Sequence, residues 1–319
     1  MNKLVTSCGA IAIALLGASL HAQTTPAAPS APPPAPQSNI FLADLDLAAG
    51  TARQVRNITP HAGYNNQPAF HNGTVLFVSD RSGSTDIYRY DVASATTTQV
   101  TATEAAEFSP TPLADGSGFT VTRVADPALK GEAYTESQQL WRYTVDGKPA
   151  AAVLPTGRVG YHAWLDAGHV ALFLVGNDER KQPHTLVLAD LAKGSAALLS
   201  SAPGRSLGRT PDGQRVSFVD KSDPAHWVIK AMTAGDRLPT VLVATPAAEK
   251  EADRSEDYCW LPDGSLMMGK GGVLWRWDGK AGNPMRVFAD LGDVGGDIKR
   301  LAASADGKRL AFVVQMRSK

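Results

Sequence analysis

The chain has 319 residues, of which 43% are hydrophobic and 19% charged, with 31 Lys and Arg against 31 Asp and Glu. This length is enough for one large domain or two ordinary ones. Nucleic-acid binding depends on clustered Lys and Arg, and this near-neutral chain has no basic stripe, so we expect no nucleic-acid partner. The 29 Gly and 21 Pro favour a fold of many short strands and turns over a helical fold.

The N-terminus has the pattern of a secretory signal peptide. Lys3 supplies a positive n-region, an apolar stretch runs to Leu20, and Ala22 precedes a suitable cleavage point. We therefore expect residues 1–22 to be removed on export and the protein to be periplasmic or secreted. An uncleaved anchor is the alternative, but it needs about 20 apolar residues and this core is shorter. No other segment is apolar enough to span a bilayer, so we expect no transmembrane segment after cleavage.

A Pro/Ala-rich linker follows, at residues 23–38. It carries almost no charge and favours extended polyproline II structure, because its composition cannot bury a core. The sequence therefore predicts a semi-rigid spacer that precedes a folded domain at residues 39–319.

The folded part is built from repeats. Turns that contain Gly recur at intervals of 43 to 52 residues, a period typical of propellers and other repeat arrays. Four of them read x-Asp-Gly, which supplies the positive φ angles of a tight hairpin. An apolar strand follows each turn, as expected for a sheet that is covered on both faces. The turns end at Gly73, Gly116, Gly168, Gly213, Gly264 and Gly307.

The sixth repeat predicts how the ring closes. It supplies two strands, around Leu301 and over residues 309–314, and the third and fourth strands match residues 39–46 and 52–55 at the other end of the chain. A last blade assembled from both termini leaves no open sheet edge. The predicted fold is therefore all-β: a six-bladed β-propeller with four-stranded blades, the last one closed by strands from both termini.

The repeat resembles the WD-like repeat of TolB-type periplasmic proteins and of the propellers of prolyl oligopeptidase relatives. The resemblance rests on residues 79–88, 210–213 with 215–218, and 305–307 with 309–312, and it covers residues 39–319. It implies the propeller fold but little about function, since propellers host unrelated tasks. TolB has an α/β domain where this chain has the Pro-rich linker, and the peptidases carry a hydrolase domain after the propeller. Neither the lipoprotein partner of TolB nor protease activity is therefore implied.

No assembled catalytic motif is evident. Residues 204–208 match the G-x-S-x-G nucleophile elbow, but the repeat places them in an innermost strand with no helix after it. Cys259 reads as a small buried hydrophobe rather than a catalytic thiol, and residues 80–86 read as a loop of the repeat rather than a calcium loop. No metal-ligand spacing connects the histidines, although ligands from separate blades could still meet in the channel. These histidines are His61, His71, His162, His169, His184 and His226.

The candidate binding residues follow from the topology. The innermost strands of a propeller line a central channel, and the segments that lead into them form one rim with mixed charges, Tyr, Asn and His, which suits a polar ligand or a protein. We predict an exported, non-catalytic binding or scaffold propeller that recognises a protein or envelope component through this rim, without a cofactor. The alternative is a small-molecule hydrolase or lyase with a metal site in the channel. The predicted rim residues are Tyr64, Asn65, Asn66, Glu107, Arg158, Tyr161, His162, Arg205, Arg209, Asp257, Tyr258, Asp297 and Arg300.

Overall fold

The computed structural model of the chain describes residues 37–236 and 238–316. Within them, 24 β-strands form six antiparallel four-stranded sheets, which are the blades of a β-propeller. The predicted fold class is therefore confirmed. The predicted signal peptide at 1–22 and nearly all of the predicted linker lie outside the described residues.

Five blades are built from four consecutive strands each, which run from the channel outwards. Blade 1 comprises β3 (Asn65–His71), β4 (Thr74–Ser79), β5 (Asp86–Asp91) and β6 (Thr96–Gln99). Blade 2 comprises β7 (Ala106–Pro112), β8 (Gly118–Val124), β9 (Gln138–Thr144) and β10 (Pro149–Ala152). Blade 3 comprises β11 (Val159–Trp164), β12 (His169–Leu174), β13 (Thr185–Asp190) and β14 (Ser195–Ser200). Blade 4 comprises β15 (Pro203–Arg209), β16 (Val216–Asp220), β17 (Val228–Met232) and β18 (Thr240–Ala244). Blade 5 comprises β19 (Tyr258–Trp260), β20 (Leu266–Lys270), β21 (Val273–Trp277) and β22 (Arg286–Asp290).

Blade 6 closes the ring with strands from both ends of the domain. Its order from the channel outwards is β23 (Gly296–Ala303), β24 (Arg309–Met316), β1 (Ser38–Asp46) and β2 (Thr51–Asn57). The antiparallel ladder between β1 and β24 runs from the pair Ser38 and Gln315 to the pair Asp44 and Arg309. This joins the two ends by main-chain hydrogen bonds, as the sequence predicts.

The core consists of six apolar clusters, one at each contact between neighbouring blades. The second strand of each blade contributes side chains to the clusters on both sides of that blade, because successive side chains of a strand lie on opposite faces. In β4, Val75 and Phe77 pack towards blade 6, whereas Leu76 and Val78 pack towards blade 2. This double coverage explains why the second strands are apolar without alternation.

The repeated Asp residues act as turn formers. The carboxylates of Asp115, Asp212, Asp263 and Asp306 each accept the backbone N–H two residues further on, at 2.9–3.0 Å. These hydrogen bonds favour the charged form, and together with neighbouring hydroxyl donors they lower the pKa of all four carboxyls. The hairpins between first and second strands are thus fixed at the end of the ring where the inner strands terminate.

The described helices are short. A single α-helix, α1 (Gly131–Ser137), lies in the loop between β8 and β9, and two 3-10 segments cover Glu251–Asp253 and Gly292–Val294. None of the helices within the described ranges is long and apolar enough to cross a membrane.

Candidate functional site

The six inner strands surround a cavity in the centre of the ring. Its walls include Gln67 of β3, Ser109 of β7, Tyr161 of β11, Arg205 of β15, Tyr258 of β19 and Arg300 of β23, one residue from each blade. Each of these strands begins at the same end of the ring, which we call the mouth. Residues from all six blades therefore line this cavity.

Five of the six inner strands break register with their neighbours in this region. The breaks lie in β3, β7, β11, β15 and β23, whereas β19 pairs with β20 without one. A β-bulge bends its strand and changes the direction of a side chain, which is why bulges are common beside binding sites.

Three of these breaks contain a non-glycine residue with a left-handed backbone. The φ angles are 54° at Gln67, 53° at Ser109 and 41° at Arg300. Non-glycine residues adopt this region at a cost, so the surrounding structure must hold them there. Gln67 contributes directly, because its Oε1 accepts the backbone N–H of Ser109 at 2.8 Å across the contact between blades 1 and 2.

Two adjoining cavities, of about 170 and 200 Å³, share Tyr161, Arg205 and Arg300 in their walls. We call them the mouth cavities. Lys299 also lines the second one, together with Tyr64 and Asn66. Among the described residues, no Asp or Glu lines either cavity. The walls therefore present three cations to the channel.

The counter-charge of these cations is buried behind the walls. The side chain of Asp257 is 1% exposed, and its Oδ2 lies 3.2 Å from Arg205 Nη2 while its Oδ1 lies 3.5 Å from Arg300 Nε. Ser206 Oγ donates to the same Oδ1 at 3.3 Å. Burial alone would raise the pKa of the Asp257 carboxyl, but the charges of Arg300, Arg205 and Lys299 outweigh it and lower the pKa below its ordinary value. Asp257 thus joins the cations of blades 4 and 6.

A second carboxylate completes this ionic layer. Glu256 Oε1 lies 3.1 Å from Arg205 Nε, and its Oε2 lies 3.4 Å from Lys221 Nζ. Arg205 is therefore held between two carboxylates of blade 5, which fixes the position of its guanidinium at the mouth.

Aromatic side chains support the guanidinium of Arg300. It lies over the ring of Tyr161, 4.3 Å from the centroid, and Tyr161 packs edge-on against Phe173 at 5.6 Å. A cation over an aromatic face is stabilised by the ring quadrupole. Tyr64 is close enough for the charges of Arg300 and Arg205 to act on it, although burial dominates and raises its pKa.

The histidine in the wall is neutral. His162 is 7% exposed, and burial lowers its pKa to about 3. Its Nε2 lies 2.8 Å from Thr120 Oγ1, whereas its Nδ1 has no hydrogen-bond partner among the described residues. The buried Ser109 Oγ in the wall of the same cavity also lacks one. Both atoms are shielded from solvent inside the wall.

The buried His162 predicts a pH dependence of stability. Its pKa in the folded state lies below its ordinary value of 6.5, so the unfolded chain binds the proton first as the pH falls. We expect the contribution of His162 to the free energy of unfolding to be complete above pH 6.5 and to fall by up to about 1.4 kcal/mol per pH unit below that pH. Chemical denaturation of wild type and His162→Gln between pH 7.5 and 5 measures this. Equal slopes for the two proteins would contradict the prediction.

Seven of the predicted rim residues come together at the mouth cavities. These are Tyr64, Asn66, Tyr161, His162, Arg205, Tyr258 and Arg300. Asp257 lies directly behind them, as described above.

The other predicted residues lie elsewhere. Asn65 is buried and bonds Ser38 and Ser79, so it joins β3 to its neighbours. Glu107 is buried inside blade 2, where it accepts hydrogen bonds from Thr101, Thr103 and Tyr143.

Two arginines of the predicted set have structural contacts. Arg158 pairs with Glu132 of α1 and donates to the carbonyl oxygens of Val175 and Gly176. Arg209 lies at the opposite end of β15 from the mouth, where it donates to the carbonyl of Gly213. Asp297 lines a separate groove between blades 5 and 6.

The sequence reasoning selected the segments 64–67 and 297–300 as approaches to the rim, but it did not single out Gln67 or Lys299, and it missed Ser109. Gln67 and Ser109 each precede a proline, Pro68 and Pro110, and a proline within an inner strand is the signal for the bulges that hold them at the channel.

Residues 204–208 and Cys259 lie in strands, as the repeat predicts. Residues 204–208 lie within β15, which continues into a turn and then β16, so the strand-turn-helix context of a nucleophile elbow is missing there. Burial raises the pKa of the Cys259 thiol to about 12. Within residues 37–236 and 238–316, no three His, Cys, Asp or Glu side chains form a group that could hold a metal ion.

The fold is shared with many solved structures. A protein from Agrobacterium tumefaciens solved as a TolB is 13% identical with a TM-score of 0.63, over 89% of this chain and 100% of that one. A chain of the nidogen/laminin complex is 10% identical with a TM-score of 0.55, over 88% and 100%. An oligogalacturonate lyase in complex with manganese is 12% identical with a TM-score of 0.53, over 83% and 80%. The sequence matches no protein-family model and no curated protein.

These similarities confirm the TolB-like propeller fold that the repeats predict. At identities of 10–13% they establish the fold alone. The three proteins include a chain of a protein complex and a lyase, so the choice between binding and catalysis depends on this chain's own residues.

Proposed function

We propose that this chain is an exported, non-catalytic binding propeller that recognises a protein or another envelope component through the mouth of its channel. The observation that carries the proposal is the layer of Arg205, Arg300 and Lys299 at the mouth, with Asp257 buried behind it. Fixed cations beside half-buried aromatic and amide groups are typical of a recognition surface.

The groups at the mouth that could act in catalysis are held in unreactive forms. The pKa of Asp257 is lowered by three neighbouring cations, which disfavours the carboxylate as a proton acceptor. The pKa of His162, about 3, leaves its ring neutral but a weak base. The hydroxyl of Ser206 donates its hydrogen bond to Asp257 rather than to a base of suitable pKa. This arrangement supports binding rather than turnover.

Capture from envelope extract tests the proposal. Immobilised wild type is expected to retain a partner that Asn66→Arg loses, because the larger side chain would fill a mouth cavity that Asn66 lines. The control is Ala114→Arg, the same new side chain in an exposed turn at the opposite end of the ring. A partner retained equally by all three proteins, at several salt concentrations, would contradict recognition at the mouth.

The alternative is a hydrolase or lyase with a metal in the channel, and one protein with this fold is an oligogalacturonate lyase in complex with manganese. Elemental analysis of the purified domain before and after chelation distinguishes the two. A stoichiometric, chelatable ion whose removal lowers the melting temperature would overturn the non-catalytic proposal and direct attention to the enzyme.

A further inference from the structure

The guanidinium of Arg300 is partly exposed at the mouth cavities. Its side chain is 13% exposed, and among the described residues it forms an ion pair through Nε with Asp257 and stacks on the ring of Tyr161. Neither contact uses the two terminal nitrogens as hydrogen-bond donors. A planar guanidinium with a free edge is suited to a bidentate hydrogen bond with a carboxylate.

Size and charge narrow the class of ligand. Cavities of about 170 and 200 Å³ are smaller than the sites that enclose drug-sized molecules, so they suit one side-chain-sized group. The three cations in the walls disfavour an ammonium or guanidinium group there, since like charges at short distance repel. A negatively charged ligand group is favoured, because it can accept hydrogen bonds from these cations.

We infer that the mouth cavities bind one carboxylate group, received by Arg300 and Lys299. The inference rests on the proposed function and deepens it by naming the chemistry that the mouth recognises. Two sources can present such a group: a free small organic acid, or an acidic side chain or C-terminus of the partner. Arg205 acts here as a positioning residue, because it fixes Asp257, which in turn pairs with Arg300.

Isothermal titration with an isosteric pair of probes tests the inference. N-acetylglutamate is expected to bind, and its diamide N-acetylglutaminamide, which has an amide in place of each carboxylate, about tenfold or more weakly, because the amides cannot accept the charge-assisted hydrogen bonds of a carboxylate. Equal binding of both probes, or binding of neither, would overturn the carboxylate assignment. Capture of a partner at the mouth is measured separately, so that failure leaves the proposed function standing.

Variants connect the binding to the named residues. Arg300→Gln is expected to weaken N-acetylglutamate binding about tenfold or more. Lys299→Gln leaves the ion pairs of Asp257 in place, and we expect binding about two- to fivefold weaker, as for an exposed ion pair. Arg209→Gln, which removes a guanidinium at the far end of β15, is the matched control and should bind as wild type does. Unchanged binding in a folded Lys299→Gln and Arg300→Gln would overturn the inference.

A competition arm distinguishes the two sources of the carboxylate. If N-acetylglutamate displaces the captured partner, the partner presents the carboxylate. If the probe binds at the mouth without displacing the partner, the natural ligand is a free small acid. Both results support the carboxylate site, and each assigns a different source.

Discussion

Replacing Asp257 with Asn is expected to lower the free energy of unfolding by about 3 kcal/mol, because loss of one partner of a buried ion pair leaves the other charges uncompensated. Arg205 and Arg300 would then lie together in the wall with no carboxylate between them. For a domain of this size the melting temperature should fall by about 6–12 °C. Calorimetry or urea denaturation measures the change.

The matched control is Glu256→Gln, at the adjacent position of the same ionic layer. Its carboxylate is more exposed than that of Asp257, at 16% against 1%, so water screens its loss and the effect should be smaller. A loss for Asp257→Asn no larger than that for Glu256→Gln would contradict the role of Asp257 as the central anion.

The same carboxylate predicts behaviour in acid. The pKa of Asp257 is lowered in the folded state, so its contribution is present above the ordinary pKa of 3.8 and is lost as the pH falls through the folded value. Asp257→Asn should therefore lose less stability than wild type below pH 3.8. His162 acts from pH 6.5 down to its folded pKa of about 3, so between pH 6.5 and 3.8 it acts without Asp257, and the two effects are separable in that range.

Removal of residues 1–57 is expected to abolish the cooperative folding of the propeller. The deletion takes away β1 and β2, including the buried Ile40, Leu42, Ala43 and Leu45. It also leaves β24 as an unpaired edge whose apolar faces lose their cover, which promotes aggregation. Thermal melting monitored by circular dichroism should show no sharp transition.

The control deletion removes residues 1–36 only and keeps the ladder between β1 and β24. It should melt as the full chain does. Leu42→Ala provides a milder version of the same test and should cost about 2–5 kcal/mol, because it empties a fully buried position between blades 6 and 1. A fragment of residues 58–319 that melts cooperatively near the wild-type temperature would show that β1 and β2 are not needed for closure.

The fold was predictable because its determinants are local and repeated. The Asp-Gly turns specify hairpins by their own backbone preferences, and Val75 to Val78 show by continuous apolarity that a blade is covered on both faces. The closing blade was predictable because 39–46 repeats the pattern of a third strand. Repetition turns each of these weak signals into a consistent one.

The site was only partly predictable, because its contacts join blades that are far apart in sequence. Asp257 meets Arg205 from blade 4 and Arg300 from blade 6, and no linear spacing encodes that meeting. The bulges at Gln67 and Ser109 alter which side chains lie at the channel. The prolines that follow these residues mark an irregularity in each strand, but not the direction in which its side chains then lie.

Position along an inner strand was the other difficulty. Arg205 and Arg209 lie four residues apart in β15, at opposite ends of the channel wall. The alternation of side chains along a strand does not distinguish them, because they are separated by an even number of residues. The pairing of Arg158 with Glu132 depends on α1, which is an insertion outside the repeat. Depth in the channel and the partners of inserted segments therefore required the three-dimensional structure.

The most direct test of recognition at the mouth is to map where a partner touches the ring. A photo-crosslinking amino acid placed at Asn66 or Lys299, which line the mouth cavities, is compared in intact cells with one placed at Ala114 in a turn at the opposite end. We predict a discrete crosslinked species from the two mouth positions and none from Ala114. The same species from all three positions, or one from Ala114 alone, would contradict the account.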